Sequence, residues 1–198
     1  MAAITPTALH FGSVAYQAVE EAEIHTIVLQ GISKEDLGAI TKIAIFMGGE
    51  SKTRPYGRIG DVTSVLGDNL YFELSRLGFQ VYRWNETDTS PQSTTRTMAE
   101  TGKALDAQAI VTGSVAASHK RSSGMFGVGG FKTVIQSATL KVTDVKTSNL
   151  LIMVTIDYKV GQDIGIAAES MALILQTKLE DPFGDLKEKL KEKLQKNI

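Results

Sequence analysis

An α/β domain built on a single mixed β-sheet is the fold the sequence predicts: a β-α-β-α-β unit followed by an antiparallel hairpin, with helices packed on it and further helices at both ends. Three observations predict it. Ala107 to Val115 (Ala-Gln-Ala-Ile-Val-Thr-Gly-Ser-Val) is a short apolar run rich in β-branched residues, the pattern of a strand buried on both faces. Before it, compact apolar runs alternate with stretches whose apolar residues recur at three- and four-residue spacing. After it, two stretches place apolar residues at every second position across a short turn.

In chain order, residues 8 to 30 carry apolar groups at helix-like spacing (Leu9, Val14, Val19, Ile24, Val28) with an acidic cluster at Glu20, Glu21 and Glu23. They read as a helix, with Ile24 to Leu29 open to a strand reading. Ser33 and Asp36 have capping-box spacing for a brief turn at Glu35 to Gly38. Lys42 to Met47 is a compact strand, and Gly48 to Gly57 a loop containing Arg54, Pro55 and Tyr56.

From Arg58 to Leu77, Ile59, Val62, Leu66, Leu70, Leu74 and Leu77 share one helix face, and Gly78 stops the helix. Phe79 to Trp84 is the second strand, Thr87 to Ser93 a polar linker, and Thr94 to Leu105 the second helix. After the strand at Ala107, Ser118 to Gly130 reads as a loop. The hairpin follows: Val134, Ala138, Leu140 and Val142 share a face with Gln136. Leu150, Ile152, Val154, Ile156 and Tyr158 answer them across a turn at Lys146 to Asn149.

Ile164 to Leu179 is an apolar helix, and Asp181-Pro182 breaks the chain. In the tail, Leu186, Leu190 and Leu194 form a narrow apolar stripe among Lys and Glu. Two readings fit it, a docked surface helix or a partner or oligomer contact. The domain division is thus an N-terminal helical extension over 1–40, the α/β domain over 41–180 and an amphipathic helix over 181–198.

Composition narrows the function classes. The 198 residues are 42% apolar, enough for one well-buried domain. Lys and Arg number 21 against 22 Asp and Glu, so no global charge draws the chain to nucleic acid or an anionic membrane. The absence of cysteine excludes thiol catalysis, disulfides and cysteine-ligated zinc. The sequence has no apolar run of about 18 residues, and its N-terminus lacks a basic region followed by an apolar core, so neither a transmembrane helix nor a signal peptide is expected in it.

No motif rises to a catalytic constellation. Gly48 to Thr53 (Gly-Gly-Glu-Ser-Lys-Thr) imitates a phosphate loop between a strand and a helix, but Ser51 stands where the glycine before the lysine is needed, and Pro55 interrupts the helix start. A plain β-α loop is the simpler reading. Gly124 to Gly130 runs into a strand, whereas a dinucleotide fingerprint opens a helix. A flexible turn is the simpler reading; a loop that orders on a partner is the other, since Met125, Phe126 and Val128 are apolar groups without an evident core face. His10, His25 and His119 are far apart and none is followed by a ligand-type residue three or four positions on, so no metal site and no cofactor are expected. Asp61 and Asp68 read as a solvated helix face, and His119, Lys120 and Arg121 form too short a run for a phosphate track.

Four stretches carry a family resemblance: Lys-Ile-Ala-Ile-Phe from Lys42; Leu70 to Val81, where a helix ends in Leu-Gly-Phe-Gln-Val; Gly102 to Val115; and Ala138 to Thr147. Over roughly Lys42 to Val160 the chain resembles the curli-secretion lipoproteins (CsgG-type) and their relatives, the penicillin-binding-protein activator lipoproteins (LpoB-like) and TolB N-terminal-like domains. The resemblance implies a structural pattern, a mixed sheet with helices on it, and no catalytic residues. The chain departs from the curli channel in two places where membrane hairpins would need strands of about nine to eleven residues. Ser118 to Phe131 is too short for two of them, and only Gly-Gln-Asp lies between Val160 and Ile164, so no pore is expected. The family's Thr-Gly turn is Thr147-Ser148 here, and its lipid-anchoring cysteine is missing.

The expected function is therefore non-enzymatic. The resemblance implies the soluble domain of a bacterial cell-envelope lipoprotein, periplasmic and associated with the outer membrane. It would serve as an assembly or secretion scaffold or adaptor through envelope protein partners, with a homo-oligomer open. The expected contact residues are Arg54, Pro55 and Tyr56; Met125, Phe126 and Val128; and Leu186, Leu190 and Leu194. The alternative is a small-molecule or nucleotide-binding α/β protein using Gly48 to Thr53.

Overall fold

The computed structural model describes residues 6–47, 62–83, 95–121 and 131–196. In chain order the elements are α1 (Pro6–Glu21), β1 (Glu23–Val28), α2 (Lys34–Gly38), β2 (Lys42–Met47), α3 (Val62–Arg76), β3 (Gln80–Arg83), α4 (Thr95–Ala104), β4 (Ala109–Arg121), β5 (Phe131–Asp144), β6 (Leu150–Gln162), α5 (Ile164–Glu180) and α6 (Leu186–Lys196). The strands form one six-stranded sheet in the order β1-β6-β5-β4-β2-β3. β2, β3 and β4 are parallel, and β4, β5, β6 and β1 pair antiparallel. This is the expected mixed α/β architecture.

Local chemistry sets most boundaries where the sequence puts them. Ser33 caps α2, its Oγ accepting from the Asp36 N–H at 3.0 Å. On α3 the four-residue spacing of Val62, Leu66, Leu70 and Leu74 makes one stripe, and the three leucines are completely buried. Each such burial contributes about 2 kcal/mol. The Ile59 end of the expected helix lies outside the described residues. Gly78 ends the helix at φ +96°, a conformation that favours glycine.

Between β5 and β6, Ser148 takes φ +60° in place of the glycine usual at such a site. The turn is held instead by Asp144, whose Oδ1 accepts from the Thr147 N–H at 2.6 Å and the Thr147 hydroxyl at 2.9 Å.

Four segments depart from the expectations. On β5 a bulge between Ile135 and Ser137 puts Ile135, in place of Val134, in the core with Ala138, Leu140 and Val142. Glu23–Val28 is a strand, the alternative reading of that stretch, so the N-terminal segment supplies an edge of the sheet as well as a helix. β4 runs on through Ser118 to Arg121, residues expected in a loop, because β5 continues to pair with them as far as Phe131. Leu150 is part-exposed, outside the buried face that Ile152, Val154, Ile156 and Tyr158 form.

The core lies between one face of the sheet and the layer of α1, α3 and α5, with α2 and α6 against α5. α5 is buried almost all round, which its run of Ala, Met, Ile and Leu requires. The tail stripe is corrected here: Leu186 and Leu190 are buried in this core as α6 packs on α1 and α5, which gives the docked-helix reading. Two lysines help fix the dock. Lys187 Nζ donates to the Glu20 carbonyl at 2.7 Å at the end of α1, and Lys193 pairs with Glu180 at 2.7 Å.

Candidate protein-contact surface

Among the described residues, the second face of the sheet is covered only in part. α4 packs there over a small cluster of Ala44, Ala107, Ile110 and Val145, with Phe46, Tyr82 and Met98 at its margin. Period-2 alternation sends Thr112 and Ser114 of β4, Thr139 and Lys141 of β5, and Met153 and Thr155 of β6 to this same face. Glu23, His25 and Ile27 of β1 extend it to the edge. Thr112, Gly113, Ser114, Thr139 and Lys141 line a cavity of about 300 Å³ beside Phe46 and Met98. The surface is shallow and rich in hydroxyls, which suits contact with another backbone or polar surface better than enclosure of a large ligand.

The parallel strands give the sheet a second functional feature. β2, β3 and β4 run in one direction, so the segments 48–61 and 84–94 join the described chain where β2 and β3 end, and 122–130 joins it further along the same direction, at the end of β4. Pairing of β2 with β4 stops at Met47 and Gly113, whereas β4 and β5 continue together to Arg121 and Phe131. The eight residues from Ser114 to Arg121 carry the hairpin roughly 26 Å beyond β2. Arg54, Pro55, Tyr56, Met125, Phe126 and Val128, like the loop Gly48 to Thr53, lie outside the described residues. The first two expected patches thus attach to strands that leave the sheet in the same direction, at different distances along it, while Leu186 and Leu190 are in the core at the helix layer. Leu194 belongs to α6.

The polar side chains within the described residues act chiefly as ties. Gln108 is one: its Oε1 accepts from the Thr41 N–H at 2.7 Å and the Lys42 N–H at 3.0 Å, and its Nε2 donates to the Ala39 carbonyl at 3.1 Å. This locks the start of β4 to the start of β2. Arg76 lies 2.8 Å from both Glu73 and Glu169, joining α3 to α5; its hydrogen bond goes to Glu169, and its contact with Glu73 lacks that direction. Burial raises the Glu73 carboxyl above its usual range, Arg76 works against that rise and Glu169 adds to it.

Tyr158 shares a 2.6 Å hydrogen bond with Ser170 between β6 and α5, and burial pushes its phenol up to about 12. Lys178 is buried and donates to the carbonyl oxygens of Pro182 at 3.4 Å and Gly184 at 3.0 Å. Burial lowers its ammonium, against the pull of Asp185 and Asp181. Among the described residues, no group of three or more His, Asp or Glu is placed to hold a metal ion. No helix among them is long and apolar enough to cross a membrane.

The uncovered face was not among the expected sites. Its signal was present as the polar half of the period-2 pattern in β4, β5 and β6, but which side of a sheet the helices leave bare depends on where each crossover packs.

No family model matches the chain, and no curated protein matches it. Solved structures similar to it include a PelC variant from Paraburkholderia phytofirmans, a dodecamer, at 14% identity over 78% of this chain and 96% of that one, with a TM-score of 0.48. A DUF4136 family protein from Bacteroides thetaiotaomicron is 9% identical over 81% of this chain and 97% of its own, with a TM-score of 0.42. TolB from Acinetobacter baumannii is 14% identical over 82% of this chain but only 32% of its own, with a TM-score of 0.37. At these values the function rests on the chain's own residues.

Proposed function

We propose that this chain is the soluble domain of a non-enzymatic bacterial cell-envelope lipoprotein, resident in the periplasm at the outer membrane. It works as an assembly or secretion-associated scaffold or adaptor through protein contacts, those with further copies of itself included. The observation that carries this reading is the β4–β5 hairpin, which runs on beyond the end of β2 in the direction in which both expected contact loops leave the sheet, next to a sheet face that the described helices cover only in part. The compartment in this reading is supported by the resemblance of Gly102 to Val115 to the curli-secretion lipoproteins.

The test is partner capture from envelope extracts, comparing the chain with a Met125→Ser, Phe126→Ser double variant of unchanged melting temperature. The reading expects a discrete partner retained by the parent chain and lost by the variant; equal retention by both contradicts the assignment of that loop.

A second reading, nucleotide binding by Gly48 to Thr53, has one observation in its favour. The loop leaves the C-terminal end of a parallel strand and leads to α3, where ligands of α/β sheets gather. It predicts a rise in melting temperature with millimolar ATP or GTP and magnesium, abolished in Lys52→Ala. No shift, or a shift unchanged in Lys52→Ala, removes it.

A further inference from the structure

The two edges of the sheet are built differently. β3 is only four residues long, and its Arg83 is tied back to α3 through an ion pair with Asp68 and a 2.9 Å hydrogen bond to Ser64. β1, with Glu-Ile-His-Thr-Ile-Val, has no proline, no lysine and no bulge, the devices that normally blunt an edge.

The register of β1 shows which backbone groups are unused. The Leu29 N–H donates to the Leu151 carbonyl at 2.9 Å, which makes Leu29 and Leu151 a hydrogen-bonded pair in an antiparallel ladder. Continuing by two along the uninterrupted register, Ile27 with Met153, His25 with Thr155 and Glu23 with Asp157 are also hydrogen-bonded pairs. The intervening Ile24, Thr26 and Val28 therefore turn their N–H and C=O groups away from β6, toward the open edge. Beside that edge, Ile27 is 57% and Leu29 40% exposed, large apolar groups on a polar strand.

We propose that this edge is a self-association site, at which a second copy of the chain adds its own β1 antiparallel to the first, with the two-fold axis at Thr26. The inference rests on the reading of the chain as one that works through protein contacts, and names a surface for it.

The sequence of the strand is complementary to its own reverse. About Thr26, Ile24 faces the partner's Val28, and the two threonines face each other, all through the outward backbone groups. On the uncovered face, His25 lies opposite the partner's Ile27, and Glu23 opposite the partner's Leu29, so the exposed apolar groups are covered and no like charges meet. Neighbouring registers fail. An axis at Ile24 brings Glu23 against the partner's His25 but leaves Ile27 and Leu29 outside the pair; an axis at Val28 runs into the turn at Gly31, where φ is +82°. The product is one continuous sheet through both copies, a closed, isologous dimer.

The test combines sedimentation velocity across micromolar concentrations with hydrogen exchange of the Ile24, Thr26 and Val28 amides. The parent chain is expected to pass from monomer to dimer as concentration rises, with those three amides becoming protected together. Thr26→Pro removes an N–H that turns away from β6 and meets no acceptor among the described residues, and is expected to hold the chain monomeric with an unchanged circular dichroism spectrum. Should that proline disturb β1, Ile27→Lys is the second variant, expected to weaken association about tenfold or more through an edge charge.

A parent chain that stays monomeric with those amides unprotected overturns the proposal. So does an oligomer whose amides at 24, 26 and 28 exchange as fast as in the monomer, an outcome that leaves the wider protein-contact reading standing. Conversely, dimerisation through β1 with no partner lost from the Met125→Ser, Phe126→Ser variant supports this pairing while contradicting the loop assignment.

Discussion

At the scale of single residues, close approach explains the glycine at 102. A Cβ on Gly102 would lie 2.8 Å from Val145 Cγ2 and 3.1 Å from Ile110 Cδ1, both on β-branched side chains with little room to turn. Gly102→Ala is expected to cost about 1–3 kcal/mol, read as a lower urea midpoint at unchanged slope. At Asp163, burial opposes ionisation, but the hydrogen bonds from Lys132 and the Gly165 N–H and the Lys132 charge outweigh it and hold the carboxyl below 3.8. A lowered carboxylate contributes stability above its unfolded value, and that contribution is lost as pH falls from about 4 through the folded value. Asp163→Ala is therefore expected to lose about 1 kcal/mol at neutral pH, chiefly the N-cap of α5, and the gap from the parent to close in acid. Chemical denaturation at several pH values checks both. Glu73 runs the other way: its raised carboxyl is protonated more readily folded than unfolded, so ionisation costs stability as pH rises past the usual carboxylate range. Glu73→Gln is expected to leave neutral-pH stability equal or higher. The pattern of residue types gave no hint of that pair, because the partners Arg76 and Glu169 meet only when α3 packs on α5.

At the scale of elements, periodicity was a sound guide along α3 and along β6 from Ile152, and failed on β5 where a bulge exchanges Val134 for Ile135 in the core. β2 came out with the bounds of its apolar run, and the α3 stripe, the capped α2 turn and the β5–β6 turn followed from spacing and turn chemistry. Two elements show why the rest was harder to read. β1 alternates weakly and abuts a helix, and only its pairing with β6 decides for strand. α6 has a stripe too narrow to choose between core and partner, and the choice belongs to α1 and α5, which bury Leu186 and Leu190. The tail is thus part of the fold. Leu190→Ala is expected to destabilise the protein by about 2–3 kcal/mol, and removal of Phe183 to Ile198 to lower the melting temperature markedly. Thermal unfolding of the truncated chain checks this; a truncation with the parent's melting temperature would return the stripe to partner contact.

At the scale of the molecule, the fold class was legible because each level agreed: a β/α alternation, then strands of period 2, with turn residues between them. The candidate site was legible only in part. The expected loops leave the sheet in one direction, but the part-covered face beside them, with Thr112, Ser114, Thr139 and Thr155, emerged from α4 alone packing on that side among the described helices. A scaffold or adaptor needs surface of this kind, and the uncovered β1 edge adds a place for a second copy. The most direct measurement of the central claim is site-specific photo-crosslinking in living cells, with the crosslinking residue placed at Phe126, at Thr139 and, as a control on the helix layer, at the exposed Lys191. The account predicts adducts of discrete mass from 126 and 139 and none from 191. Adducts from 191 alone, or none from 126 and 139 while the protein is abundant, would contradict it.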